Sequence, residues 1–144
     1  MTPSRLAPHR RIDAIAAVAV GGFLGALARF ELGEAFPQTA GQWPATTFAI
    51  NVAGAFALGV LLEALLRLGP DSGWRQRVRL GAGTGVLGAF TTYSALAVDT
   101  ALLLRAGQQW SALSYAGGTV LAGLVATLLG IAVGARVGGR RVRG

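Results

Sequence analysis

The chain has no cysteine, no lysine and a single histidine, and only 13% of its 144 residues are charged. Without cysteine there is no disulfide, no thiol nucleophile and no thiolate metal site. The one histidine, His9, sits in a basic tail, so a hydrolase or a metalloenzyme has almost nothing to work with. A soluble domain of this size carries about 25% charged residues; the shortage here argues for a protein that lies mostly in lipid. Apolar surface stands in place of the missing charge, with 53% hydrophobic residues and a mean hydropathy of +0.55. The charge that remains is lopsided: 13 arginines against 6 acids, for a net +7. A sequence pI near 11.7 raises nucleic acid as a partner. The arginines, however, flank apolar spans rather than line a folded face, so the bilayer surface is the expected partner and nucleic acid is not. Arginine without lysine, in an Ala- and Gly-rich chain, fits a GC-rich genome and carries no functional weight.

Four apolar segments, at about 14–33, 44–66, 80–103 and 111–135, predict a single all-α integral membrane domain over residues 1–144, with short Arg-rich tails. Their uncharged cores include 14–28, 44–62 and 80–98, and Pro44 suits the start of the second helix. A helix of about 19 residues rises roughly 28 Å, which matches the hydrocarbon thickness. "HRRID" before the first apolar run and "ALA" at 26–28 also resemble a cleaved signal peptide. Arg29 directly after that site and three further spans favour a retained first helix. Eleven arginines fall on one side: Arg5, Arg10 and Arg11, then Arg67, Arg75, Arg77 and Arg79, then Arg136, Arg140, Arg141 and Arg143. The other side holds only Arg29 and Arg105, with Glu31, Glu34 and Asp99. The positive-inside rule then places both termini in the cytoplasm, as expected for a multi-pass protein of a bacterial plasma membrane.

Polar residues inside the spans are few. Asn51 stands mid-span, where an amide is costly unless it is paired; it either bonds a neighbouring helix or faces a polar path. Thr47 lies one turn earlier on the same face. In the fourth span Ser111, Tyr115 and Thr119 fall at i, i+4 and i+8, a hydroxyl stripe that also suits ordinary packing. Arg29 closes the first span and is placed to snorkel to the interface. Gly21 with Gly25, Gly81 with Gly85, and Gly130 with Gly134 each form GxxxG, which lets helices approach closely but says nothing about substrate.

The stretch "LGAGTGVLGAFTTYSALAVD" (80–99) is long enough to cross a bilayer, yet it carries four glycines and then Thr91, Thr92, Tyr93 and Ser94. Such a segment can unwind at membrane depth where protein or a cavity satisfies its backbone. Freed carbonyls suit a cation, while freed amides and hydroxyls suit an anion. No span holds a carboxylate near its midpoint. Donors without buried acids favour passive anion conduction over a proton-coupled carrier.

"GGFLGALARF", "FAINVAGAFALG" and "GAGTGVLGAFTTYS" resemble, in order and spacing, the signatures of the CrcB/Fluc fluoride channels. The resemblance covers three spans by motif and the fourth by Tyr115-xxx-Thr119. It implies a four-helix membrane fold with a break in the third helix, assembled as an antiparallel dimer. It further implies two fluoride pores at the interface and a central structural sodium ion held by backbone carbonyls. On that basis Asn51 is the expected pore donor, Tyr93, Ser94, Leu96, Tyr115 and Thr119 line the pore, and Arg29 stands at a vestibule. Gly88 and Thr91 fall where the sodium carbonyls lie. The implied function is passive export of cytoplasmic fluoride, which enters as HF, dissociates inside and inhibits phosphate-handling enzymes. A strongly hydrated anion needs good donors in exchange for water, and phenyl edges carry the positive part of the ring quadrupole.

The chain departs from that family pattern in two ways. The family reads Thr-Thr-Phe-Ser-Thr-Phe at the break, whereas this chain reads Thr91-Thr92-Tyr93-Ser94-Ala95-Leu96. Tyr93 keeps a ring edge; Leu96 has none. The arginine bias is also far from balanced, although a chain that inserts both ways should carry almost no bias. Together these lead to the expectation of one half of a heterodimer, paired with a homologous subunit of opposite bias. A small multidrug-type exporter is a rival four-span dimer, but it needs a membrane-embedded Glu in the first span, and the core of that span, 14–28, has none. A non-conducting assembly subunit is the other rival, kept in play by Leu96.

Overall fold

The computed structural model describes residues 12–39 and 41–139, and all regular structure among them is helical. His9, Arg5, Arg10, Arg11, Arg140, Arg141 and Arg143, on which part of the orientation reading rests, lie outside the described residues. Six α-helices follow in order: α1 (Ile12–Ala35), α2 (Ala45–Arg67), α3 (Trp74–Val78), α4 (Gly88–Phe90), α5 (Tyr93–Arg105) and α6 (Gln109–Gly139). Between α3 and α4 the chain stays helical but widens to a π-helix over Arg79–Leu87. Four stretches are long and apolar enough to cross a membrane: Ile12–Ala35, Ala45–Arg67, Trp74–Arg105 and Gln109–Arg136. The protein is a multi-pass membrane protein whose third span is interrupted.

Two packing seams organise the bundle, and glycine makes both. α1 lies against the π-helical stretch, where a Cβ on Gly21 would collide with the Gly81 carbonyl oxygen and one on Gly25 with that of Val86. α2 lies against α6, where a Cβ on Gly130 would strike the Phe56 carbonyl and one on Gly134 would come within 2.6 Å of the Val60 carbonyl oxygen. In lipid there is no hydrophobic force between helices, so backbone proximity and van der Waals contact hold them together. Each GxxxG pair read from the sequence therefore falls on a helix–helix seam. Large apolar side chains such as Phe23, Leu121, Leu124 and Leu128 point outward, as expected of a protein solvated by lipid.

Gly25→Val should place two methyl groups into backbone, an overpacking that costs about 1–3 kcal/mol or more. Gly22 has open space around its Cβ position, so Gly22→Ala is the matched control. Size-exclusion profiles and melting in detergent should show loss of the folded species for Gly25→Val and a wild-type profile for Gly22→Ala.

At one end of the bundle the α2–α3 connection gathers ion pairs: Glu63–Arg67 at 2.6 Å, Asp71–Arg79 at 2.8 Å and Asp13–Arg77 at 3.7 Å. At the opposite end, residues 36–39 and 41–44 fold over the helices as a tied-down loop. Thr46 donates to the Phe36 carbonyl, Gln108 to the Gly41 carbonyl, and the Trp43 indole to the Ser114 hydroxyl. Beneath this loop lies the best-buried cluster, Leu103, Ala112 and Tyr115, with Phe48 and Leu96 packed beside it.

Candidate functional site

The break in the third span falls at Thr91–Thr92, because helix hydrogen bonds there are diverted to side chains. Thr91 turns extended (ψ 155°), and Thr92 follows at φ −145°, ψ 118°. In an unbroken helix the Thr92 N–H would bond the Gly88 carbonyl and the Ala95 N–H the Thr91 carbonyl. Instead the Thr92 N–H donates to Asn51 Oδ1 at 2.8 Å, and the Ala95 N–H donates to Thr92 Oγ1 at 3.1 Å. The second of these is an ordinary threonine N-cap for α5. Asn51 also donates from Nδ2 to the Thr92 carbonyl at 3.0 Å. One amide side chain from α2 thus satisfies both backbone groups of the residue at the break. Asn51 is helix glue in this arrangement, and its second Nδ2 hydrogen takes part in no hydrogen bond among the described residues.

The break leaves four carbonyls without helical donors, those of Gly88, Ala89, Phe90 and Thr91. None of them accepts any of the hydrogen bonds found at the break among the described residues. Gly88 and Thr91, the two positions expected to present oxygen to a sodium ion, are among the four. Uncharged carbonyl oxygens without donors suit a hard monovalent cation.

The other expected site residues divide by whether their donors are spent. Tyr115 is fully buried (0% exposed), with its ring edge-on to Trp43 at 5.4 Å, and its hydroxyl donates to Asp99 Oδ2 at 3.1 Å. Thr119 is buried, and its hydroxyl hydrogen goes back to the Tyr115 carbonyl at 2.6 Å. Ser94 is exposed and shares a hydrogen with the Thr92 hydroxyl across 3.2 Å. Tyr93 is 83% exposed and bonds nothing among the described residues, so both ring and hydroxyl are free. Leu96 packs against the buried cluster around Tyr115.

Arg29 stands in a cavity of about 330 Å³ with Phe30, Thr46, Thr47, Ile50, Thr92 and Ala95. Its Nε is buried, and the guanidinium makes no hydrogen bond or ion pair among the described residues. An unpaired buried N–H on a cation, next to the Asn51–Thr92 clasp, is a donor awaiting an acceptor. A second cavity of about 220 Å³ is lined by Thr39, Gly41, Gln42, Asp99 and Leu102. Gln38 lines both cavities, and its Nε2 donates to Thr47 Oγ1 at 2.8 Å. Gln38, and Asp99 as the partner of the expected Tyr115, were not among the site residues expected from sequence. The signal is absent locally, since Asp99 and Tyr115 lie 16 residues apart and meet only when α5 and α6 pair.

The fold and this site define a class: a four-span membrane protein whose third span is broken and held open by an amide from the second. A model of the family described as "CrcB-like protein, Camphor Resistance (CrcB)" matches residues 16–131, and the chain belongs to that family. It is 54% identical over 124 residues to a fluoride-specific ion channel, FluC 2, of Leifsonia xyli subsp. xyli, covering 86% of this chain and 85% of that one. It is 43% identical over 132 residues to a FluC 1 of Cutibacterium acnes, covering 92% of each. With a FluC of Novosphingobium aromaticivorans it shares 44% identity over 125 residues, or 85% of this chain and 96% of the relative.

Proposed function

We propose that this chain is a subunit of a fluoride-selective passive channel that lets fluoride out of the cytoplasm, and that it is not an enzyme. The observation that carries the reading is the unpaired Arg29 guanidinium, set in a cavity beside an amide-clasped helix break. Hydroxyl and amide side chains (Thr46, Thr47, Gln38) line that cavity with it; Glu34 is its one carboxylate, and none lies near the middle of any span. That is the chemistry a strongly hydrated small anion needs in exchange for water. The relatives named as fluoride-specific channels supply the ion. Gly88 and Thr91 are the residues that would hold a sodium ion; bound there, it would offset two unsatisfied carbonyls and add positive charge near the anion path.

The assembly we infer is an antiparallel dimer in the bacterial plasma membrane, with both termini of this chain cytoplasmic. The arginine bias favours a homologous partner of opposite orientation over a second copy. Fluoride efflux from liposomes, read with a fluoride electrode against a chloride control, tests the function. Fluoride-only efflux from channel purified with any co-purifying subunit supports it, and equal chloride efflux or none overturns it. The natural chain has no cysteine, so single cysteines at Ser72 and at the exposed Ala106 report orientation cleanly. Labelling of Ser72→Cys from the cytoplasmic side alone is expected; labelling of each site from both sides at comparable levels would overturn the heterodimer.

A further inference from the structure

Each described acid at the α2–α3 end of the bundle is taken by an arginine, and one arginine of that connection is left over. Glu63 pairs with Arg67, Asp71 with Arg79 and Asp13 with Arg77. Arg75 meets no acid among the described residues. It is nevertheless held in place. Its Nε donates to the Pro70 carbonyl at 2.8 Å, and its Cζ lies 5.8 Å from the centroid of the Trp74 ring. Gly69, at φ +124°, brings the loop so close that a Cβ there would stand 3.5 Å from the Arg75 Cζ. A guanidinium has five N–H donors. Only the Nε donor is spent, and those on the two terminal nitrogens make no hydrogen bond among the described residues.

We propose that Arg75, backed by Trp74, binds the phosphate of an anionic phospholipid headgroup. The fork of a guanidinium matches two phosphate oxygens, and a fork already held in place loses less freedom on binding. Trp74 is 53% exposed, and its indole N–H makes no hydrogen bond among the described residues. It opens the third candidate span, Trp74–Arg105. That is the level at which tryptophan rings sit among lipid headgroups.

Apolar surface at the same end favours a lipid over a soluble phosphate. Leu66 in the last turn of α2 and Val78 one turn after Trp74 are both exposed, so acyl chains find contact there that a free ion would leave unused. Charge then selects among lipids. Arg136, in the last turn of α6 at this end, is exposed and pairs with no acid among the described residues. The described part of this end therefore carries five arginines against three acids, a surplus that attracts an anionic lipid surface. The opposite end has Arg29 and Arg105 against Glu31, Glu34 and Asp99, and offers no such attraction.

The test is native mass spectrometry of the intact protein, with any co-purifying subunit, titrated with dioctanoyl phosphatidylglycerol, dioctanoyl phosphatidylcholine or inorganic phosphate. Phosphatidylglycerol should bind more tightly than phosphatidylcholine, and an equal concentration of inorganic phosphate should not displace it. Arg75→Gln should weaken phosphatidylglycerol binding about fivefold, the loss expected for one basic residue at a membrane surface. Arg105→Gln makes the same charge change at the opposite end and should leave binding unchanged. Trp74→Ala keeps the charge and should also weaken binding, so it reads the site even where Arg75→Gln does not elute as folded protein. Wild-type affinity in folded Arg75→Gln or in Trp74→Ala overturns the proposal, and so does an equal loss in Arg105→Gln. Displacement by inorganic phosphate would overturn the lipid as the source, and equal affinity for the two lipids would overturn the anionic class. None of these readouts depends on fluoride flux, so failure here is distinct from failure of the channel reading.

Discussion

Asn51→Ala is expected to reduce fluoride efflux to the rate of protein-free liposomes. The substitution removes the acceptor for the Thr92 N–H and the donor to the Thr92 carbonyl, at 2.8 and 3.0 Å. Each buried backbone group left unpaired costs about 1–3 kcal/mol. The chain has a cheap repair: the Thr92 N–H can return to the Gly88 carbonyl and the third span can close into continuous helix. That repair erases the break and covers the Gly88 carbonyl, while the substitution itself removes the spare amide hydrogen of Asn51. Either route ends conduction. Asn51→Asp separates them, because it keeps the acceptor for the Thr92 N–H while losing the donor and adding an anion. It should melt closer to wild type than Asn51→Ala and still fail to pass fluoride. Efflux with Asn51→Ala above about a tenth of the wild-type rate would show that the clasp does not hold the pore open.

The spans, the break and the glycine seams were legible in the sequence because each is written in a local pattern. An uncharged run of helical length, Thr-Thr after a glycine-rich segment, and GxxxG all act within a few residues of themselves. What holds the site together is written across the chain. Asn51 and Thr92 are 41 residues apart, so the sequence could place an amide in a span but not say that it would bond a backbone rather than an ion. The π-helical winding of Arg79–Leu87 was equally hidden. Gly81 and Gly85 permit close approach, but only the presence of α1 at that face shows where the widened backbone fits. The hydroxyl stripe on α6 looked uniform by spacing and proved not to be. Thr119 spends its hydrogen on its own helix, whereas Tyr115 reaches across to α5. Leu96 read as a missing pore ring; its packing against Leu103, Ala112 and Tyr115 gives it a structural role as well.

Tyr93 offers the sharper test of how a ring serves the anion path. It begins α5 directly after the break and is 83% exposed in the single chain, with no hydrogen bond to lose. Substitution there should cost the fold little, since exposed positions away from caps and cores change stability by about 0.5 kcal/mol or less. A loss of flux therefore reads as loss of function rather than of folded protein. Tyr93→Phe keeps the positive ring edge and should conduct at a wild-type rate. Tyr93→Ala removes the edge, and efflux should fall at least about tenfold, equivalent to about 1.4 kcal/mol of barrier. The comparison also bears on the partner. If the ring edge of this chain and a ring from the opposing subunit flank one path, Leu96→Phe should not restore flux to Tyr93→Ala, because Leu96 packs into the bundle beside Tyr115 rather than at the exposed start of α5. Equal efflux from Tyr93→Ala and wild type would remove this ring from the proposed conduction path.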